Sequence, residues 1–381
     1  MMYNQVKQSL KKEVLIMLRY FEVRGFKNFH NKVSIDFSNI HDYKFNSQCI
    51  TNGLVSKAII YGKNSVGKTN FGLALFDIVT HLTSKNVTPD LYNYYLNAQG
   101  KTKYAEFLYI FVFYSHEIKY SYRKDDKQQL IYEKLVLDEK LLFEYNYIDR
   151  QGDTFGIQEL APTLNLKLRD SDCILRYVIN NTVLEDSHPL RQMLKFVSHM
   201  LWFRNLDQNR YIGYKSDSKD FLDFIFEDDN LQEFEYFLRL TGIEERLIGI
   251  TDSDGRKRLY FNTQTLLPFF KVASSGTRAL YTFFYWYKTA QNVSFMYVDE
   301  FDAYYHYELS EAIVLIIEKM TKTQVIITSH NTNLMTNRIM RPDCYYILSG
   351  NKLTSFADAT RRELREGHNL EKLYMGGEFD E

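Results

Sequence analysis

Gly62-Lys63-Asn64-Ser65-Val66-Gly67-Lys68-Thr69 matches the phosphate-binding loop pattern G-x-x-x-x-G-K-[ST], and its flanks match as well. Ahead of it, Lys57-Ala58-Ile59-Ile60-Tyr61 is a short apolar run of the kind that forms a buried parallel strand. Behind it, Asn70 to Val79 carries apolar residues at helical spacing. Gly62 and Gly67 let the loop turn tightly, so that its amides, those of Lys63, Asn64, Ser65 and Val66 included, face a phosphate. The helix that follows turns its positive end toward the same anion. The pattern assigns Lys68 to the β- and γ-phosphates of ATP and the Thr69 hydroxyl to Mg²⁺.

Working outward, 381 residues suffice for one large domain with an insertion, or for two domains. The formal charge of −1 announces no global affinity for nucleic acid, so any basic surface is local. Cys49, Cys173 and Cys344 are far apart and odd in number, which fits a reducing compartment and excludes a disulfide framework or a zinc spacing. The nine histidines are scattered, so no histidine-based metal cluster is expected. No apolar run approaches the roughly 18–20 residues of a membrane span. The expectation is a cytoplasmic protein without membrane contact. The 30 Tyr and 28 Phe are spread throughout, as composition rather than as a platform for bases.

Residues 1–16 read as a polar leader, and 17–90 as the N-terminal half of a nucleotide core. Leu18 to Gly25 and Val33 to Phe37 alternate as a β-hairpin does, turning near His30-Asn31-Lys32. Residues 91–186 are β-rich, with an antiparallel meander from Glu106 to Tyr147. Residues 187–272 read as a helical insertion, the period turning helical from Ser187 to Arg246. Residues 273–350 return to a helix–strand alternation, which argues for a parallel sheet and the second half of the core. A tail, 351–381, follows. No repeat and no sustained heptad run interrupts this order.

Three further stretches complete a site. Phe295 to Glu300 is an apolar strand ending in two acids; Asp299 would hold the Mg²⁺ shell and Glu300 would polarise the attacking water. Alone, it reads equally as a strand ending in surface acids; following the loop at 62–69, the catalytic reading prevails. Gln324 to His330 is a second buried strand, whose His330 would sense the γ-phosphate. Its plain alternative is a strand-end histidine bonded to backbone. Ala273-Ser274-Ser275-Gly276-Thr277-Arg278 is a small, hydroxyl-rich turn opening a helix, which offers N–H groups and hydroxyls to an anion or simply caps the helix.

In this order, the four motifs resemble the ABC-type ATPase heads of the SMC and RecF kind, across Leu18 to Phe76 and Ala273 to Leu348. The resemblance implies an α/β fold with a split P-loop core, a mixed sheet with flanking helices, and an inserted β meander and helical subdomain. It implies that Ser274 contacts the γ-phosphate held by an opposite protomer, with Gly276 allowing close approach and Asp302 in the loop that crosses the dimer. A narrower resemblance is to the stand-alone AAA-family ATPases of prokaryotic anti-phage and abortive-infection systems, carried by Arg24 to Phe29, Ser274 to Arg278 and Arg361 to Gly377. It implies a homodimer or larger even-numbered assembly that senses and scaffolds, controlling an effector from a neighbouring gene, for example a Toprim-like nuclease. The chain departs from that pattern after Asp302, with Ala303-Tyr304-Tyr305-His306-Tyr307 in place of a small residue and Leu-His-Pro. The glutamine of such heads is not assigned; Gln99 is a candidate by position only.

Two alternatives remain. One is a RecF-like DNA-binding repair protein, using the basic clusters Gly255-Arg256-Lys257-Arg258 and Arg361 to Arg365. The other is a self-sufficient nuclease, since Asp252-Ser253-Asp254 mimics a paired-acid metal site, although a charged hairpin turn explains the same residues.

Overall fold

The computed structural model describes residues 16–83, 89–100, 102–166, 172–204, 211–214, 221–289 and 292–379. The leader expected over 1–16 lies outside them, save Ile16. The chain opens with β1 (Met17–Arg24), β2 (Val33–Asp36), a clip of β3 (Ile50–Thr51) and β4 (Leu54–Val55), then β5 (Lys57–Tyr61), α1 (Lys68–Leu75) and α2 (Asp77–Leu82). Next come β6 (Ala105–Phe113), β7 (His116–Lys124), β8 (Leu130–Leu137), β9 (Lys140–Asn146) and β10 (Gln151–Asp153). Three helices follow, α3 (Phe155–Leu160), α4 (Ile174–Asn181) and α5 (Pro189–Ser198), then β11 (Met200–Arg204) and β12 (Tyr211–Gly213). Helix α6 (Asn230–Leu240) leads to a small sheet of β13 (Leu247–Thr251), β14 (Lys257–Phe261) and β15 (Leu267–Pro268). The last part holds α7 (Phe269–Val272), α8 (Ser275–Thr289), β16 (Phe295–Asp299), α9 (Tyr307–Glu318), β17 (Gln324–Thr328), β18 (Tyr345–Ser349), β19 (Lys352–Ser355) and α10 (Leu370–Met375).

Two seven-stranded sheets carry the architecture. One has the order β12-β11-β16-β17-β5-β18-β19 and is parallel from β11 to β18, with antiparallel strands at both edges. Its inner strands β5, β16 and β17 are buried at every residue, as strands covered on both faces must be. The other, antiparallel, has the order β10-β9-β8-β7-β6-β1-β2. Strand β7 shows the alternation of a sheet with one face packed and one wet. Helix α1 packs against both sheets: Phe71 meets Phe21 of β1 at 5.5 Å between ring centroids, while Gly72 abuts Tyr297 of β16. Residues 71–75 are therefore all buried, which explains why that helix is apolar all round.

The expected hairpin and meander form, but as one sheet: β1 pairs with β6 from Met17 to Arg24, so the β-rich stretch extends the N-terminal hairpin. The helical reading of 187–246 is corrected at Met200-Leu201-Trp202-Phe203-Arg204, which is β11, a member of the parallel sheet. A short apolar run of this kind has no period to separate strand from buried helix, and its neighbour α5 biases the reading. The insertion expected over 187–272 also contains the β13–β15 sheet, and the tail over 351–381 begins with β19, still within the parallel sheet.

Candidate functional site

The C-terminal ends of β11, β16, β17 and β5 lie side by side, the edge at which open parallel sheets bind ligands. From β5 the chain enters the loop 62–69, where Gly62 (φ 155°), Ser65 (φ 65°) and Gly67 (φ 107°) hold positive φ. A Cβ on Gly62 would meet the Leu348 carbonyl oxygen at 2.7 Å, and one on Gly67 would lie 2.4 Å from the Asn28 amide nitrogen. Both glycines are thus required by contact as well as by conformation. Asn28 braces the loop from outside: its amide donates to the Val66 carbonyl (2.9 Å) and accepts from Asn70 (2.8 Å). The sequence reading used Asn28 only within the Arg24 to Phe29 resemblance and missed this brace.

Lys68 is 7% exposed, and its ammonium donates to the Gly62 (2.8 Å) and Lys63 (3.3 Å) carbonyls. Burial pulls its pKa below the ordinary value, against the opposing charges of Asp299, Glu300 and Asp302. Thr69 donates its hydroxyl hydrogen bond to Asp299 Oδ2 at 2.7 Å. Thr328, at the end of β17, donates to Asp299 Oδ1 at 2.9 Å and accepts the Glu300 N–H at 2.7 Å. Asp299 is fully buried; burial raises its carboxyl pKa, opposed by Thr69, Thr328 and the Arg204 charge. A buried carboxylate beside a hydroxyl is a hard oxygen donor pair suited to Mg²⁺. Glu300 itself sits in the left-handed region (φ 50°), a strain of roughly 1–3 kcal/mol that marks functional turns.

The sequence reading also missed Arg204. It ends β11 in register with Asp299, and its guanidinium reaches Glu300 Oε2 through Nη2 (2.7 Å) and Nε (3.1 Å), with Nε 3.7 Å from Asp299. Once β11 was read as helical, no spacing argument could bring it here. Gln99 lines a cavity of about 440 Å³ with Lys27, Asn28 and Asn70.

His330 follows β17, is exposed, and feels the charges of Lys68, Asp302 and Glu300; partial burial lowers its pKa. The Asp302 carboxylate accepts from the Ser329 hydroxyl and from the Asn331 N–H (3.2 Å), so it is engaged within its own chain. Burial raises its pKa, opposed by these bonds. The loop, Asp299, Glu300, Asp302 and His330 therefore form one cluster.

The Ser274 turn does not join that cluster. Ser274 accepts the Thr277 N–H (3.1 Å) and so caps α8, while Ser275 is exposed. Gly276 passes close to the following loop; a Cβ there would lie 2.9 Å from the Tyr304 carbonyl oxygen. Ser274, Gly276, Tyr304 and His306 line a groove of about 980 Å³, and none of the described residues lining it belongs to the loop 62–69.

Two other clusters are structural. Asp252 and Asp254, the apparent paired acids, are both bonded to Arg258, Asp254 at 2.5 Å, as a charged hairpin requires. His81, Glu133 and Cys173 converge in the interior, which no sequence spacing suggests. The Tyr120 hydroxyl stands among them, 2.6 Å from His81 Nε2 and 2.9 Å from Glu133. Glu133 also accepts from Tyr147 and from the Ile174 and Leu175 N–H groups, so it anchors the start of α4.

Among solved structures, the chain is similar to the SMC head domain from Thermotoga maritima (14% identity, TM-score 0.42, covering 89% of this chain and 98% of that one). It is also similar to the Smc head domain with a coiled coil and joint from Pyrococcus yayanosii (10% identity, TM-score 0.46, covering 90% and 97%). No curated protein matches it. Residues 57–336, from the P-loop strand past the histidine strand, match the family model described as an AAA domain, putative AbiEii toxin of a type IV toxin–antitoxin system. The chain belongs to that AAA family.

Proposed function

We propose that the chain binds ATP with Mg²⁺, hydrolyses it, and uses bound ATP to hold two copies head to tail, so controlling a separate effector in anti-phage defence. The observation that carries this reading is the bonded series Thr69–Asp299–Thr328–Glu300 behind the loop 62–69. In this reading the loop amides and Lys68 bind the phosphates, and Thr69 and Asp299 hold the metal. Mg²⁺ supplies charge neutralisation on the phosphate oxygens. Glu300 orients water and accepts its proton, and His330 stands by the terminal phosphate.

In this reading the dimer is supported by the Ser274 turn. It is exposed, opens a helix, and lies off its own phosphate loop, as a group serving a partner's nucleotide would. Since Asp302 is engaged internally, the exposed Ala303 and Tyr304 are the part of its loop that faces a second copy. An effector from a neighbouring gene, such as a Toprim-like nuclease, supplies the toxic chemistry in this scheme.

The test is native mass spectrometry of Glu300→Gln protein, expressed with its neighbouring genes, with and without Mg-ATP. An even-numbered assembly that needs ATP and carries a second polypeptide is the expected result. A monomer under both conditions sinks the head-to-tail mechanism. An ATP dimer without a partner favours a RecF-like DNA clamp, to which exposed Arg256, Lys257 and Lys271 around a cavity of about 750 Å³ would contribute. Salt-sensitive DNA binding that survives removal of those cations would exclude this cavity as its contact surface.

A further inference from the structure

We propose that Arg204 senses the terminal phosphate: its guanidinium, held against Glu300, transfers to the γ-phosphate of a bound nucleoside triphosphate and thereby frees Glu300 for water. The inference rests on the ATPase reading and gives it a residue that distinguishes triphosphate from diphosphate.

The main chain at Arg204 is fixed. It is the last residue of β11, paired in parallel register with Asp299, and the preceding Trp202 and Phe203 are buried. Only the side chain has room to change partner. Its two bonds to Glu300 both end on Oε2, instead of running as two parallel bonds to two oxygens. That arrangement forgoes part of what a guanidinium gains from a planar carboxylate or a phosphate face. The pair is also partly open to solvent, at 28% and 24% side-chain exposure, so exchanging one anionic partner for another costs little desolvation.

The charges favour the exchange. Asp299, Glu300 and Asp302 all act on Lys68, and Arg204 meets Asp299 and Glu300. Lys68 is turned onto the loop's own carbonyls. A terminal phosphate arriving beside Glu300 sets anion against anion, and the guanidinium already touching Glu300 is placed to stand against the phosphate. The step then balances: a water oxygen bonds to phosphorus, the bond from phosphorus to the diphosphate oxygen breaks, and the water proton passes to Glu300 and on to solvent. With only a diphosphate bound, Arg204 remains on Glu300.

Calorimetric titration of the full chain with Mg-ATP and with Mg-ADP tests this, using wild type, Arg204→Gln, Arg204→Lys, Glu300→Gln and the Arg204→Gln/Glu300→Gln double variant. Arg204→Gln is expected to weaken ATP about tenfold, the worth of one charge-assisted contact, with ADP within about twofold of wild type. Arg204→Lys keeps the charge and should recover part of the loss. Glu300→Gln should tighten ATP, because the competing carboxylate is gone, and the double variant should lose that gain. Equal weakening of ATP and ADP in Arg204→Gln would mean a merely structural role and overturn the proposal. An unchanged ATP affinity there would overturn it as well. Wild-type protein that binds neither nucleotide would instead overturn the ATPase reading beneath it.

Discussion

Replacing Gly72 with alanine isolates the packing that sets the height of the phosphate loop above the sheet. In an exposed helix this change stabilises by up to about 1 kcal/mol. Here a Cβ would stand 2.6 Å from Tyr297 Cε1, 2.8 Å from its Cζ and 2.9 Å from Trp202 Nε1. Unbonded carbons settle at about 3.5–4.0 Å, so α1 must retreat by about 1 Å or the rings must move. Neither ring has room: both are fully buried, and the Tyr297 hydroxyl donates to the Lys68 carbonyl at 2.7 Å. Overpacking of this kind costs about 1–3 kcal/mol, which outweighs the helix-propensity gain once the Tyr297 hydrogen bond is strained as well. The retreat also carries Thr69 away from Asp299, whose bond is 2.7 Å long. The expected result is a melting temperature several degrees lower and ATP affinity reduced at least about tenfold, since misplacements of about 1 Å at a reacting site are costly. Thermal melts with calorimetric titration read both. A variant as stable as wild type, with unchanged ATP affinity, would refute the argument that contact with Tyr297 and Trp202 fixes the loop.

Lys68→Ala should abolish ATP binding in the same titration, because the phosphates lose their charged contact. Ser274→Arg should leave nucleotide binding by one protomer intact and prevent pairing, read by sedimentation with Mg-ATP; an intact ATP dimer would show that the α8 turn lies away from the interface. Lys124→Met strands the Asp77 carboxylate, which is 1% exposed and 2.6 Å from the ammonium. It should cost about 3–5 kcal/mol in urea unfolding, most of it returned by adding Asp77→Asn. Lys57 is buried and its pKa is pushed down to about 8, from 10.5. Between those values the unfolded chain binds the extra proton, so this residue makes stability rise with pH over that window and opposes folding below it. Lys57→Met should flatten the rise between about pH 8 and 10.5; an identical slope in the variant would contradict the assignment.

The legible parts of the molecule are those where a local pattern and a local structure coincide. Gly62 to Thr69 could be read because its spacing is itself the geometry of the loop, and Phe295 to Glu300 because an apolar run closing on two acids marks the end of a buried strand. The Ser274 turn was visible as a helix cap, and in the chain it does cap α8. What sequence could not supply is adjacency across long separations. Arg204 meets Glu300 across 96 residues, and Asn28 meets Val66 across 38, through side chains whose types are common on any surface. Strand β11 was hidden for a different reason: five residues carry too little period to declare themselves, and burial on both faces removes the alternation that would have done so.

The aromatic content has a local explanation that composition alone conceals. At the end of helix α1, tyrosines brought in from the following segments bond its last carbonyls: Tyr92 donates to Leu73 at 2.9 Å, and Tyr109 to Ala74 at 3.1 Å. One turn on, Tyr95 and Tyr122 each donate to Asp77 at 2.8 Å, beside Lys124. A tyrosine suits this place because its ring fills the space between sheet and helix while its hydroxyl reaches a polar terminus. Phenylalanine would remove one donor from a buried carbonyl or carboxylate, a loss of about 1 kcal/mol at each position. The antiparallel sheet is therefore bonded to the far end of the helix whose near end bears Lys68 and Thr69. Any shift of β6 or β7 relative to the parallel sheet must move that helix along its axis or break these hydroxyl bonds, and so the meander and the phosphate loop behave as one mechanical unit.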